Sequence, residues 1–331
     1  MKKILVTGAT GFVGSHFCDY LIEKKIKSKI FVTKRYHLSK LDNLMHIKNK
    51  LNFLDCDLTD PVSVNSLIKN LKPDIIFHFA AESFVSPSWL HPNRYMSVNY
   101  NATLNLLEAM KNFSIKTKIL IPGSGEEYGN LSKKEMPITE NTTLKPVNPY
   151  AVSKISQDLI SYVYYKSYNL NVYRCRTFNH EGPRREKVFG ISWYAYQIAR
   201  IEKELQSPVI KTGDTTDLRN FTHVRDICDA YWKCITMCKK GELYLVGTES
   251  NKNIFTFKEC LKRLIKLSNI KQKVKIKQVP EFTRPTNVPL LLADISKFSK
   301  VTKWKPKISF DEILLSTLNY WRDKLGQNHK E

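Results

Sequence analysis

The chain predicts an α/β fold, a Rossmann-type doubly wound parallel sheet with a smaller C-terminal substrate-binding lobe. Three observations carry this. A turn of spacing Gly8-x-x-Gly11-x-x-Gly14 directly follows a short apolar run and opens a helical pattern. Short β-branched runs then alternate with amphipathic stretches through residue 121. Beyond residue 175 the alternation becomes irregular and Arg more frequent. Residues 1–175 are therefore read as the Rossmann domain, completed by later segments, and 176–331 mainly as the smaller lobe.

Residues 3–7 (Lys-Ile-Leu-Val-Thr) read as a buried strand, and Phe17, Tyr20 and Leu21 give 16–23 a helical spacing. Strands follow at 30–32 and 51–54, a helix at 62–69, a strand at 74–79, a helix at 99–111 and a strand at 118–121. Parallel strands joined through helices require right-handed crossovers, and ligands of such sheets bind beyond the carboxyl ends of the strands. The last few residues are expected to fray.

Composition narrows the function classes. Apolar residues at 42% and charged residues at 25% of 331 describe a soluble globular chain. With 12 Gly and 14 Pro, collagenous and low-complexity architectures are excluded. No apolar run reaches the ~18 residues of a membrane span, and the start of the chain has no signal-peptide h-region after Gly8. Seven cysteines without a CxxC pair argue against a disulfide framework or a zinc site and suit a reducing cytoplasm. Fifty-three Lys and Arg against 31 Asp and Glu give a charge of +22. The lysines are scattered, with no basic tail, RNA-binding motif or zinc-finger spacing, so no nucleic-acid partner is expected. Such a field would still draw in an anionic substrate or cofactor.

In its strand–turn–helix setting the glycine turn predicts a dinucleotide site, with Phe12 and Val13 at the helix start; the alternative is an ordinary glycine-rich turn. Cofactor choice turns on the end of the second strand, Val32-Thr33-Lys34-Arg35, which offers two cations and no acid. Arg35, or Lys34, can pair with a 2′-phosphate, which favours NADP over NAD; otherwise both are solvated loop charges. Asp57 and Leu58 follow the third strand and could contact adenine, unless Asp57 is simply a turn or N-cap acid.

Tyr150-Ala151-Val152-Ser153-Lys154 puts a phenol and an ammonium on one helical face. A phenol is a poor base at neutral pH, and a nearby ammonium, helped by an oxidised nicotinamide, would favour the phenolate. Ser124, at the end of the strand 118–121, could hydrogen-bond the oxygen being oxidised. Glu126, two positions on, could serve as the base of an elimination. Alternatively Tyr150 and Lys154 are an exposed pair, Ser124 a turn residue and Glu126 a salt-bridged loop acid, the last being the favoured reading for Glu127.

These motifs together resemble the extended short-chain dehydrogenase/reductases over nearly the whole chain, and most closely the GDP-mannose 4,6-dehydratases. The dehydratases' Ser/Thr-x-Glu triplet falls on Ser124 and Glu126 and their Tyr/Lys pair on Tyr150 and Lys154. The stretch from Ala80 to Val85, including Ser83, is similar to the family's substrate-and-cofactor loop. Phe178-Asn179-His180-Glu181-Gly182-Pro183-Arg184-Arg185 resembles the dehydratase form. The resemblance implies that Ala80 contacts the cofactor, that Ser83, Asn179 and Arg185 contact substrate, and that Arg219 and Arg284 hold a nucleotide diphosphate. Guanidinium groups suit that role chemically.

Gly125, Trp193 and Asn287 depart from the family pattern of serine, lysine and glutamate. The last two positions contact the nucleotide in the family, which leaves the sugar open between GDP-mannose and a GDP-manno-heptose. The implied reaction is a lyase cycle with internal hydride transfer from C4 to the cofactor and on to C6, yielding a 4-keto-6-deoxy sugar. The rivals are an NAD(P)H-dependent 4-keto-sugar reductase or a 4-epimerase, and, against the intact Ser124/Tyr150/Lys154 set, a non-enzymatic dinucleotide-binding module. No metal is implied. A homodimer or homotetramer is, through the helices 99–111 and 150–166; Leu104, Leu106, Leu107, Ile155, Leu159 and Tyr162 serve either that seam or the core.

Overall fold

In the computed structural model, which describes residues 1–114, 116–282 and 284–327, strand β1 (Lys2–Thr7) runs through the glycine turn into helix α1 (Phe12–Glu23). Then come β2 (Ser28–Lys34), β3 (Asn52–Asp55), α2 (Pro61–Leu71), β4 (Ile75–His78), α3 (Pro92–Tyr95), α4 (Ala102–Phe113), β5 (Lys118–Ser124), α5 (Pro149–Tyr168) and β6 (Asn171–Thr177). The second half supplies β7 (His180–Glu181), α6 (Gly190–Glu202), β8 (Val209–Thr212), β9 (Leu218–Asn220), β10 (Thr222–His223), α7 (Val224–Met237) and β11 (Leu243–Val246). It ends with β12 (Ile254–Thr256), α8 (Phe257–Leu267), β13 (Lys275–Gln278), β14 (Leu290–Leu291), α9 (Ser296–Thr302) and α10 (Phe310–Gln327). The expected terminal fraying concerns residues 328–331, outside the described residues.

Seven strands form one parallel sheet in the order β11-β6-β5-β4-β1-β2-β3. The order reverses between β1 and β4, and ligands of such sheets bind in the crevice at that reversal. Alternation along β1 explains the two layers. Ile4 and Val6 face Phe17 and Leu21 of α1 and Ile227 and Tyr231 of α7. Leu5 faces Val64 and Ile68 of α2, Leu106 and Met110 of α4, and Tyr164 of α5. Helices α6, α8 and α10 enclose a third apolar cluster, with short two- and three-stranded sheets around it.

Three sequence expectations need adjustment. The helix expected at 99–111 begins earlier, at Pro92, and passes through a π-helical turn at Met96–Asn101. Strand β6 was not anticipated, although it lies between β5 and β11. Leu106 and Leu107 are fully buried in the chain's own core, because α4 packs on the sheet through them, so they belong to no seam. Leu159 and Tyr162 of α5 are exposed at 51% and 39%.

Candidate active site

A cavity of about 560 Å³ opens beyond the carboxyl ends of β1, β4, β5 and β6. Gly8, Gly11, Phe12, Val13 and Gly14 form one wall, and Ser124, Glu126, Tyr150 and Lys154 another. Ser83, Asn179, Arg185, Arg219 and Arg284 line the same space. A neighbouring cavity of about 270 Å³ shares Gly8, Gly11 and Ala81 with it and is lined by Arg35, Asp57, Leu58 and Ala80. Every residue proposed from the sequence for catalysis, cofactor or substrate therefore faces one of two adjoining spaces.

The glycine turn fits a dinucleotide. Gly8 has φ +66°, and a Cβ there would stand 2.5 Å from the Ala80 nitrogen. At Gly14 a Cβ would overlap the Gly8 carbonyl. Helix α1 starts at Gly11 with no side-chain cap and no acid in its first turn. Its free N–H groups and positive end are thus left for an anion. At the second cavity Lys34 pairs with Asp55, so the exposed Arg35 is the cation available to a 2′-phosphate. Asp57 lines that cavity while its Oδ1 accepts from the Thr59 N–H at 2.9 Å and hydroxyl at 2.7 Å, the turn role foreseen as its alternative. Burial pushes its carboxyl up, but the Thr59 hydrogen bonds and the Arg35 and Arg94 charges leave it below its usual range.

Tyr150 and Lys154 sit at the start of α5. Asn148 caps that helix by accepting from the Ala151 N–H at 2.7 Å, and Pro149 occupies its first turn. Tyr150 packs edge-on against Tyr95, with ring centres 6.2 Å apart. Burial raises the phenol above its ordinary range, and the hydrogen bond with Ser124 pulls it back. The Lys154 ammonium donates to the Pro122 carbonyl at 2.6 Å and to Gln157 Oε1, and burial disfavours its charge. The Arg185 charge also lowers the phenol.

The turn Gly125–Tyr128 follows Ser124 and opens with a capping box. Ser124 Oγ accepts from the Glu126 N–H at 3.2 Å, and Glu127 Oε1 accepts from the Ser124 N–H at 2.7 Å. Glu126 is half-buried, lines the cavity and accepts from Asn148 Nδ2 at 3.2 Å. Glu127 turns away and meets Arg176 Nε at 2.6 Å, the salt-bridged reading favoured for it.

The two adjacent arginines diverge. Arg184, at φ +67°, reaches Asp19 of α1 at 2.7 Å and pins the loop there, helped by a 2.8 Å contact between His16 and the Pro183 carbonyl. Arg185 faces the cavity with its guanidinium over the Phe189 ring at 3.5 Å and 4.9 Å from the Phe12 ring centre. Its nearest carboxylate is Glu181, at 3.9 Å. Arg219 is buried, donates to the Leu218 carbonyl at 2.9 Å and to the Val288 carbonyl, and stands 3.7 Å from Asp217. Arg284 is exposed at the rim, with Nε donating to Ser86 Oγ at 3.1 Å. Trp193 and Asn287, two of the departures, line this cavity as well. Sequence reading missed Asn148, although Asn-Pro before a helical pattern is a capping signal. It also missed Arg176 and Asp158, paired at 2.7 Å, for which spacing gives no sign.

Residues 5–317 match the family described as GDP-mannose 4,6 dehydratase. The GDP-6-deoxy-D-mannose reductase of Pseudomonas aeruginosa is 28% identical over 98% of this chain and 99% of its own length. GDP-mannose 4,6 dehydratase 1 of Arabidopsis thaliana is 30% identical over 95% of this chain and 88% of its own. Among solved structures, RMD from Pseudomonas aeruginosa complexed with NADPH aligns with a TM-score of 0.83 at 27% identity, covering 98% of this chain and all of that one. The dTDP-glucose 4,6-dehydratase of Bacillus anthracis in complex with NAD gives 0.84 at 28%, covering 98% of each. With its glycine cradle, its Ser124/Tyr150/Lys154 set and this match along its length, the chain belongs to the GDP-mannose 4,6-dehydratase family of NAD(P)-dependent, nucleotide-sugar-modifying enzymes.

Proposed function

We propose that the chain is a nucleotide-sugar 4,6-dehydratase acting on GDP-mannose or a GDP-manno-heptose with NADP as its cofactor. One observation carries this reading. Glu126 shares the cavity with Ser124, Tyr150 and Lys154, and its carboxylate is held by Asn148 rather than by a salt bridge among the described residues. An elimination needs a free base there; reduction of a ketone does not.

A bound nicotinamide supplies the hydride acceptor for C4 and the hydride donor for C6. Ser124 donates its hydroxyl hydrogen to the sugar 4-oxygen, and Tyr150 takes the proton of the 4-hydroxyl. Glu126 removes the C5 proton, acidified by the new ketone, and delivers it to the departing 6-hydroxyl, which leaves as water. Tyr150 returns its proton to C5, so protons balance over the cycle. Arg219 and Arg284 hold the diphosphate, Ser83, Asn179 and Arg185 orient the sugar, and Arg35 receives the 2′-phosphate. The second reading, a 4-keto-sugar reductase, is favoured by the extent of the match to the Pseudomonas aeruginosa reductase.

Mass spectrometry of reactions with GDP-mannose and with GDP-manno-heptose, without added reductant, separates them. Loss of one water from either substrate without net NADPH formation is the expected result. Turnover confined to a 4-keto-6-deoxy sugar in the presence of NADPH would replace the dehydratase with the reductase.

We further propose a homo-oligomer joined through α5. Val152, Leu159 and Val163 lie on one exposed apolar stripe of that helix, flanked by Tyr162. Light scattering that finds a monomer at micromolar concentration would remove this reading.

A further inference from the structure

Glu127 takes no part in the proton transfers described above, yet it is completely buried beside them. A carboxylate without solvent is costly unless it is paired and hydrogen-bonded. Here one oxygen is hydrogen-bonded and the other is held by charge alone, with no hydrogen bond of its own among the described residues. Oε1 accepts from the Ser124 N–H at 2.7 Å and Oε2 meets Arg176 Nε at 2.6 Å. Arg176 continues through Nη2 to Asp158 Oδ2 at 2.7 Å and through Nη1 to the Tyr128 hydroxyl at 2.9 Å. Asp158 lies one helical turn beyond Lys154 on α5, and its other oxygen takes Arg174 at 2.9 Å. The chain of contacts therefore ties β5 to both β6 and α5.

Two charged groups grip the end of β5. Lys154 donates to the carbonyl of Pro122 at 2.6 Å, and Glu127 accepts from the amide of Ser124. Gly123 lies between, and a Cβ at that position would overlap Glu127 Oε1, so the strand end is shaped around this carboxylate. The grip has two consequences. Because the Glu126 N–H already occupies an acceptor position on Ser124 Oγ, the serine hydroxyl hydrogen is free to point toward Tyr150. Burial pushes the Glu127 carboxyl up to about 7 against the opposing charge of Arg176, and in its ionised form it stands two residues from the lysine's own anchor, where its charge opposes the loss of the Lys154 proton.

We propose that Glu127 is a positioning residue, which fixes the direction of the Ser124 hydroxyl and keeps the Lys154 ammonium charged inside the cavity. This rests on the dehydratase-family reading of Ser124, Tyr150 and Lys154 but not on the identity of the sugar. The titratable and charged groups facing the pair are Arg176 and Cys175 from β6, Asp158 and Tyr150 from α5, Tyr128 from the turn and His78 from β4.

The test reads Lys154 directly. The pH dependence of its acetylation by acetic anhydride, followed by peptide mass spectrometry, gives a labelling midpoint in the wild-type chain without any sugar. Glu127→Gln keeps the shape and the acceptor for Ser124 while removing the charge, and Arg176 retains Asp158. Its midpoint is expected to fall by about one pH unit or more. Gly123→Ala, whose Cβ displaces the carboxylate from the Ser124 amide, is expected to shift it in the same direction and serves if the first variant does not fold. Glu127→Asp, which keeps the charge, should stay nearer to wild type. A wild-type midpoint in folded Glu127→Gln, or in Gly123→Ala if that is the chain obtained, overturns the proposal. Wild-type chain that labels as expected but dehydrates neither GDP-sugar would instead count against the dehydratase reading alone.

Discussion

Asn148 serves Glu126 and helix α5 at once: its Oδ1 accepts from the Ala151 N–H at 2.7 Å while its Nδ2 donates to Glu126 Oε2 at 3.2 Å. The two duties can be separated. Asn148→Asp keeps an acceptor for the helix end but puts a second carboxylate against Glu126. Losing a hydrogen bond to a charged group is expected to lower kcat about 10- to 100-fold, with the melting temperature nearly unchanged. Asn148→Ala should add a loss of about 1 kcal/mol in stability. Steady-state kinetics with thermal unfolding check both; equal stability losses in the two variants would refute the division.

Glu126 and Tyr150 should fail at different steps. Glu126→Gln is expected to oxidise C4 once and stop, so bound reduced nicotinamide accumulates and no water is lost. Tyr150→Phe should show neither event. Each loss is expected to cost about 10²- to 10⁴-fold in turnover. Single-turnover absorbance of the nicotinamide, paired with mass spectrometry, distinguishes them. Water loss at the wild-type rate in Glu126→Gln would remove its role as base.

Arg35 stands exposed at the second cavity while Lys34 is occupied by Asp55. Arg35→Ser is expected to weaken NADPH binding by about 10- to 100-fold, the worth of a charge-assisted contact. NADH binding should change little. Fluorescence titration of both cofactors decides, and a parallel loss for the two would place Arg35 away from the 2′-phosphate.

The parts of this site that were legible in the sequence are those where chemistry lies within one turn or one helical repeat. Gly8 to Gly14, Ser124 to Glu126 and Tyr150 to Lys154 each declare themselves by local spacing. The support beneath them is not local. Arg174 and Arg176 alternate with Cys175 as if on a solvated strand face, yet both are buried, because Asp158, 16 and 18 residues away, accepts from each. Hydrophobic periodicity has no signal for a buried ionic row, which is why β6 went unseen. The lobe was hard to read for another reason: β7, β9, β10 and β14 are two or three residues long, too short to show a period.

Three buried histidines and the half-buried His180 give the chain a predictable acid lability. His78 lies between Thr7 Oγ1 at 2.7 Å and Thr103 Oγ1 at 3.0 Å, and His16 meets the Pro183 carbonyl at 2.8 Å. His180 stacks on Phe12, and His223 accepts from the Arg225 N–H at 3.1 Å as the cap of α7. Burial, aided by neighbouring cations, depresses His16 and His78 to about 3 and His180 and His223 to about 4. The folded state therefore holds each ring neutral at a pH where the unfolded chain, near 6.5, binds a proton. Their contribution is full above pH 6.5 and is lost as pH falls from there toward the folded values. Each should remove up to about 1.4 kcal/mol per pH unit within that window. Urea unfolding at pH 7.5, 6.5, 5.5 and 5 is expected to show a flat stability followed by a steep fall. His78→Gln, whose amide can still bond the two threonines, should lower that slope by about one proton; a slope unchanged by the substitution would show that His78 is not among the groups taking up protons on unfolding.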